Sequence, residues 1–224
     1  VRNQVTRSPG HQVTGKGKIF IVSAPSGCGK TTLCGKLLKG RLGLVDSVSM
    51  TTRLPRPGER DGVDYHFVSG REFRALVAQG GFLEHEENFG SLYGTPKKLI
   101  EENVRRGVPT LLSIDVKGAM KVRRLYPKES VLIFIAPPSL AALKKRLVSR
   151  RSESADAVMA RLKIAKKELS YKSTYDYTIV NDTLAHAYRR LKRIITAEME
   201  RGGQGWKCHR SISSSKRQGA RINW

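Results

Sequence analysis

Residues 18–30 read KIFIVSAPSGCGK and are followed by Thr31. A short apolar run, Ile19 to Val22, breaks into a glycine-rich turn that hands over to a helix-forming stretch from Thr32 to Lys39. Strand, turn and helix in that order make a phosphate-binding loop. A triphosphate needs many donors packed around small, highly charged oxygens, so successive backbone N–H groups must point inward. Gly27 and Gly29 permit that curl because they carry no Cβ. The helix that follows contributes its positive N-terminal end. The cradle runs through Ala24, Pro25, Ser26, Gly27, Cys28 and Gly29, with Thr32 just beyond it. Lys30 is placed to reach the β- and γ-phosphates as a point charge, and the Thr31 hydroxyl suits Mg²⁺, which prefers oxygen ligands. One position departs from G-x-x-x-x-G-K-[ST]: Ala24 stands where the pattern opens with glycine.

Outward from the loop, helical and extended patterns alternate. Residues 44–53 read as a second strand running into a loop, and 63–68 as a half-exposed strand. Phe73, Leu76 and Val77 fall at helical spacing, and 82–95 forms two extended pieces around Asn88-Phe89-Gly90, a hairpin. The stretch from about 50 to 95 therefore reads as a small lobe inserted into a parallel-sheet domain. Helices are expected over 96–106, 116–124, 140–150, a stretch ending near 169, and a last one ending at 199. Strands are expected over 109–115, 130–136 and 177–180. Buried-type strands such as VLIFIA imply an α/β fold with a right-handed, mostly parallel sheet flanked by helices.

The chain has 224 residues and a formal net charge of +23. Residues 1–45 carry eight Lys and Arg and residues 201–224 six, with no acidic residue in either segment. Residues 46–200 hold 28 basic against 19 acidic residues, an excess suited to gripping two phosphorylated ligands. The basic stretches 1–17 and 202–224 read as extensions, the second a disordered tail able to bind polyanions weakly, with no specific nucleic-acid binding expected. No apolar run approaches the ~20 residues that cross a bilayer. Cys28, Cys34 and Cys208 have no ligand spacing and fit a reducing compartment, so a cytoplasmic location is expected.

Residues 49–67, SMTTRLPRPGERDGVDYHF, set Arg53 and Arg56 three apart and add Tyr65; two guanidinium forks and a phenol suit multidentate capture of a phosphate monoester. Residues 82–95, FLEHEENFGSLYGT, supply Glu84, Tyr93 and Thr95. An ionised carboxylate only accepts, and guanine offers it a paired N1–H and N2–H₂ that adenine lacks.

With its S-x-T-T-R-x-P-R-x-G-E element and phosphate loop, the chain resembles the guanylate kinases, P-loop nucleoside monophosphate kinases, over residues 18–201. The resemblance implies transfer of the γ-phosphoryl of ATP to GMP or dGMP with Mg²⁺. It implies that Ser49, Glu84 and Asp115 read the guanine with Thr95 beside them, and that Arg53, Arg56, Tyr65 and Tyr93 hold the GMP phosphate. A mobile lid over about 146–165 would close Arg146, Arg150 and Arg161 on the ATP phosphates, and Asn181 would meet the adenine. Lys30, Arg53 and the three lid arginines would carry the catalytic charge. The family commonly shows an acidic residue two positions before the aspartate that ends its third core strand. Here that position is Ser113, in Ser113-Ile114-Asp115. The alternative is a catalytically weakened relative that binds phospho-ligands. It predicts a degraded phosphate loop, against which Lys30-Thr31 stands intact. Oligomeric state, monomer or homodimer, is not legible.

Overall fold

The computed structural model describes residues 16–40, 42–88, 90–148 and 155–202. In chain order the elements are β1 (Ile19–Ser23), α1 (Lys30–Lys39), β2 (Val45–Asp46), β3 (Met50–Thr51), β4 (His66–Phe67), α2 (Gly70–Ala78), β5 (Phe82–Asn88) and β6 (Ser91–Pro96). They continue with α3 (Lys97–Arg105), β7 (Thr110–Ser113), α4 (Val116–Leu125), β8 (Ser130–Ala136), α5 (Leu140–Val148), α6 (Ala155–Ser170), β9 (Tyr177–Val180) and α7 (Leu184–Gly202).

The main sheet has the order β2-β7-β1-β8-β9, and every pairing in it is parallel. Its central strands β1 and β8 are buried along their whole length, as apolar strands covered on both faces must be. One face packs Ile19, Ile21, Leu112 and Phe134 against α3 and α4 through Ile100, Val104, Ala119 and Val122. The other packs Phe20, Val22, Leu111 and Ile133 against α1 and α7 through Leu33, Leu37, Leu191 and Ile195. A third cluster joins Cys28 of the phosphate loop to Leu143 and Leu147 of α5 and to Val158 and Ala165 of α6. Burial of this kind contributes roughly 1.5–3 kcal/mol per large side chain. In an open α/β sheet ligands bind beyond the carboxyl ends of the strands. Here those ends deliver the phosphate loop after β1, Asp115 after β7 and Asn181 after β9.

A second sheet, β4-β3-β6-β5, is built from residues 50–96 and is antiparallel except between β3 and β4. This divides the sequence reading of 44–53. Val45–Asp46 pairs with β7 in the main sheet, whereas Met50–Thr51 pairs with β4 and β6 in the second. The strand expected over 63–68 shortens to two residues. Side chains of Asp61 and Asp64 accept from the N–H groups of Phe67 and Arg60, and this local turn chemistry displaces the ladder. Pro96 ends β6 and caps α3 instead of opening its first turn. A 3₁₀ turn at Tyr171–Thr174 was not read from sequence, and α7 runs three residues past the expected Met199. No described helix is long and apolar enough to cross a membrane. Arg150, Cys208, most of the N-terminal extension and the tail beyond Gly202 lie outside the described residues.

Candidate active site

The phosphate loop ends at Gly29, whose φ of 83° lies in the left-handed region that favours glycine; Gly27 has φ 87°. Gly29 stands at the N-cap of α1 with no side-chain cap, and the first turn of α1 contains no acidic residue. The opening N–H groups of that helix thus keep their bonding capacity for an anion. Lys30 donates from Nζ to the Ile114 carbonyl at 3.0 Å, which leaves two ammonium hydrogens for a ligand. Burial lowers its pKa, opposed by Cys34, Asp115, Glu168 and Glu84, in that order. Its bond to the Ile114 carbonyl sets Lys30 next to Asp115 at the carboxyl end of β7. Thr31 is exposed beside Lys30.

Asn181 is buried, and its Nδ2 donates to the Cys28 carbonyl at 2.8 Å. Its own carbonyl accepts from Arg146 at 2.9 Å. The residue expected to meet a base thus ties the loop to the last turn of α5. A Cβ on Gly29 would meet Asn181 Nδ2 at 2.7 Å, so the clamp also needs glycine there. Arg161 lies half-buried on α6.

In the lobe of the second sheet, Glu59 grips Arg53 with both oxygens, from Oε1 to Nη2 and Oε2 to Nη1, each at 3.0 Å. Glu59 also accepts from the Arg56 N–H at 2.7 Å, so one carboxylate sets the backbone that carries both arginines. The Arg53 guanidinium lies 5.5 Å from the Tyr65 ring centre and 5.8 Å from that of Phe67, and Tyr93 meets Tyr65 edge-on at 6.0 Å. Arg53 Nε is buried without a partner among the described residues, a donor aimed at no protein acceptor. Arg56 is exposed. Glu59→Gln keeps the shape but removes the charge that aims Arg53. On the expectation that Arg53 holds the acceptor phosphate, KM for that acceptor should rise about tenfold, the worth of one charge-assisted bond, with KM for the phosphoryl donor unchanged in steady-state assays.

Glu84 on β5 is 7% exposed and accepts from the Thr95 hydroxyl at 2.5 Å across the β5–β6 pair. Burial pushes its carboxyl up to about 7, with Thr95 opposing and Asp115 adding to the rise. Asp115 caps α4 by accepting from the Gly118 N–H at 2.8 Å, and Ser23 donates to its carbonyl. Ser49, half-buried just before β3, gives its carbonyl to the His66 N–H. Ser113 is the half-buried last residue of β7.

Two acidic residues join the site that sequence reading gave no role. Glu59 belongs to the R-x-P-R-x-G-E element, which signalled its presence but not its partner. Glu168 on α6 is half-buried, its carboxyl pushed up to about 7 by burial and by Asp115 and held down by Lys30. Thr31 at the start of α1, Asp115 at the end of β7 and Glu168 on α6 offer oxygen donors of the kind a hard cation such as Mg²⁺ takes. Among the described residues no group of three or more His, Cys, Asp or Glu forms a metal cage, so such an ion would rely on nucleotide phosphates as well.

The model of the guanylate kinase family matches residues 16–198. A guanylate kinase of Anaplasma phagocytophilum is 47% identical over 183 residues, covering 81% of this chain and 87% of that protein. One of Thermus thermophilus is 47% identical over 189 residues, covering 84% and 85%. The crystal structure of the Anaplasma guanylate kinase superposes with a TM-score of 0.71 at 41% identity, covering 83% of this chain and 87% of that one.

Proposed function

The chain belongs to the guanylate kinase family, and from that premise we propose how its residues carry the γ-phosphoryl group of ATP to GMP, or to dGMP, giving ADP and GDP. The observation that carries the reading is Glu84: a carboxyl buried at a cost, bonded to one threonine, and packed against Gly118, whose N–H holds Asp115. A buried carboxylate is tolerated where a ligand brings paired donors, and the guanine N1–H and N2–H₂ are such a pair. Asp115 and Ser49 flank the base. Arg53, Arg56, Tyr65 and Tyr93 take the GMP phosphate, with Arg53 Nε supplying a donor that has no partner among the described residues.

The acceptor oxygen belongs to an anionic phosphate, so no general base is required. The task is to hold two repelling polyanions in line and to neutralise charge spreading over the transferred group. Lys30 and the uncapped N-terminus of α1 do this at the β- and γ-phosphates, and Arg53 with Arg56 at the acceptor. Thr31, Asp115 and Glu168 are the residues that would hold Mg²⁺, directly or through water. When bound, the ion would supply positive charge to the nucleotide phosphates. Arg146 of α5, bonded to the Asn181 carbonyl, adds charge, as do Arg161 of α6 and Arg150, which lies outside the described residues. Asn181 fixes the loop next to the adenine. Closure of α5 and α6 would exclude water, because hydrolysis competes with transfer.

A phospho-ligand binding module without catalysis is not favoured, since Lys30 and Thr31 are both present and placed on the helix start. Release of ADP with GMP, AMP, UMP and CMP offered as acceptors tests the reading. A GMP preference of at least ~100-fold in kcat/KM is expected. Equal rates with GMP and AMP would refute it.

A further inference from the structure

We propose that Gly118 sets the guanine specificity of the site by leaving the space into which the Glu84 carboxylate must fold. The proposal rests on the reading that Glu84 faces the base. Gly118 lies in the first turn of α4. Its φ is not in the left-handed region, so backbone conformation gives no reason for glycine. Nor does helix propensity, since glycine is a poor helix former and alanine the best. The reason is space. A Cβ built on Gly118 would lie 2.7 Å from Glu84 Oε2, 2.9 Å from Cδ and 3.3 Å from Cγ. Three successive atoms of one side chain are crowded, so a small turn of the carboxylate cannot clear the contact. Gly35, also helical, shows the contrast: a Cβ there meets nothing within 4 Å.

Glu84 has little room to retreat. It is buried, tied to Thr95, and mounted beside a register shift between Phe82 and Glu84 in the β5–β6 pair. The Gly118 N–H is meanwhile held by Asp115, the second acidic residue of the base pocket. Gly118 thus touches both carboxylates: its amide anchors one and its missing side chain admits the other. In Gly118→Ala the Glu84 side chain must swing away from the base, while Lys30 and the phosphate loop stay where they are. Gly118 is a positioning residue, acting on GMP through Glu84.

The test combines Gly118→Ala, Glu84→Ala and the double variant, with Gly35→Ala as control and steady-state kinetics beside thermal melts. Gly118→Ala should raise KM for GMP at least tenfold while KM for ATP and for AMP stay within twofold of wild type. Its effect on melting should reverse in sign: lower Tm when Glu84 is present, and higher Tm in the Glu84→Ala background, where the collision is gone and only helix propensity remains. If Gly118→Ala alone does not fold, recovery of a folded protein by adding Glu84→Ala supports the proposal. Failure to recover overturns it. A KM for GMP within twofold of wild type in Gly118→Ala, or the same Tm change in both backgrounds, also overturns it. If Glu84→Ala leaves the GMP preference intact, the reading of Glu84 fails first and the role of Gly118 falls with it.

Discussion

Replacing Lys30 by Ala is expected to lower turnover at least ~10³-fold while the protein still folds. Each factor of ten corresponds to about 1.4 kcal/mol of barrier, and a preorganised cation aimed at charge that develops in the transition state supplies several kcal/mol in a site from which water is excluded. Lys30 is that cation: it begins α1 and reaches the Ile114 carbonyl, one residue before Asp115. Its removal leaves the Ile114 carbonyl without this donor and relieves a buried charge, two small effects of opposite sign, so Tm should move by only a few degrees. The defect should lie in kcat more than in KM for ATP, because the loop amides still bind the phosphates. Rates of ADP release with saturating GMP, taken with a melt, measure both. Retention of more than about a tenth of wild-type activity would count against phosphoryl transfer at this loop and favour a binding role.

The fold was legible wherever an element is decided by its own residues. VLIFIA is apolar at every position and became a strand buried along its whole length, and the glycines of the phosphate loop announced its curl. The lobe was legible in outline only. Its strands β3 and β4 are two residues long and are fixed by pairing with distant chain, Met50 with His66 and Gly94, which no local pattern encodes. The site divides in the same way. Residues inside compact motifs, such as Lys30, Arg53 and Arg56, were read from those motifs. Glu168 was not, because a charged residue in AKKELS looks like any solvated helix face until the fold half-buries it. Gly118 was invisible for a related reason. A helical glycine carries no chemistry of its own, and its meaning depends on a side chain thirty-four positions away in sequence. Asn181 was noticed for a base contact, whereas the structure engages its amide with Cys28 and its carbonyl with Arg146.

Glu84→Gln is expected to trade specificity for stability. A carboxylate accepts both guanine donors, whereas the amide that replaces it keeps one acceptor and turns an N–H₂ toward the second donor. The GMP-to-AMP ratio of kcat/KM should therefore fall by ~100-fold or more, with KM for ATP unchanged. The stability effect follows from linkage. The folded-state pKa of Glu84, about 7, lies above its ordinary value. Between pH 4.5 and 7 the unfolded chain has released this proton while the native state retains it. Native stability consequently falls as pH rises through that window, and the loss is complete above about 7. Glutamine does not titrate. The Tm advantage of Glu84→Gln should grow from pH 5 to pH 7 and then level off, at a size approaching about 3 kcal/mol from the conversion of about 1.4 kcal/mol per pKa unit. GMP binding runs the other way, because the ionised carboxylate is the form that accepts from the base. The wild-type advantage in kcat/KM for GMP should shrink as pH falls below 7. Taking the ratio of wild type to variant cancels the titration of the GMP phosphate itself, whose second pKa is near 6. A variant that melts no higher than wild type at pH 8, or a ratio that is flat with pH, would mean that Glu84 is not the buried acid that reads guanine.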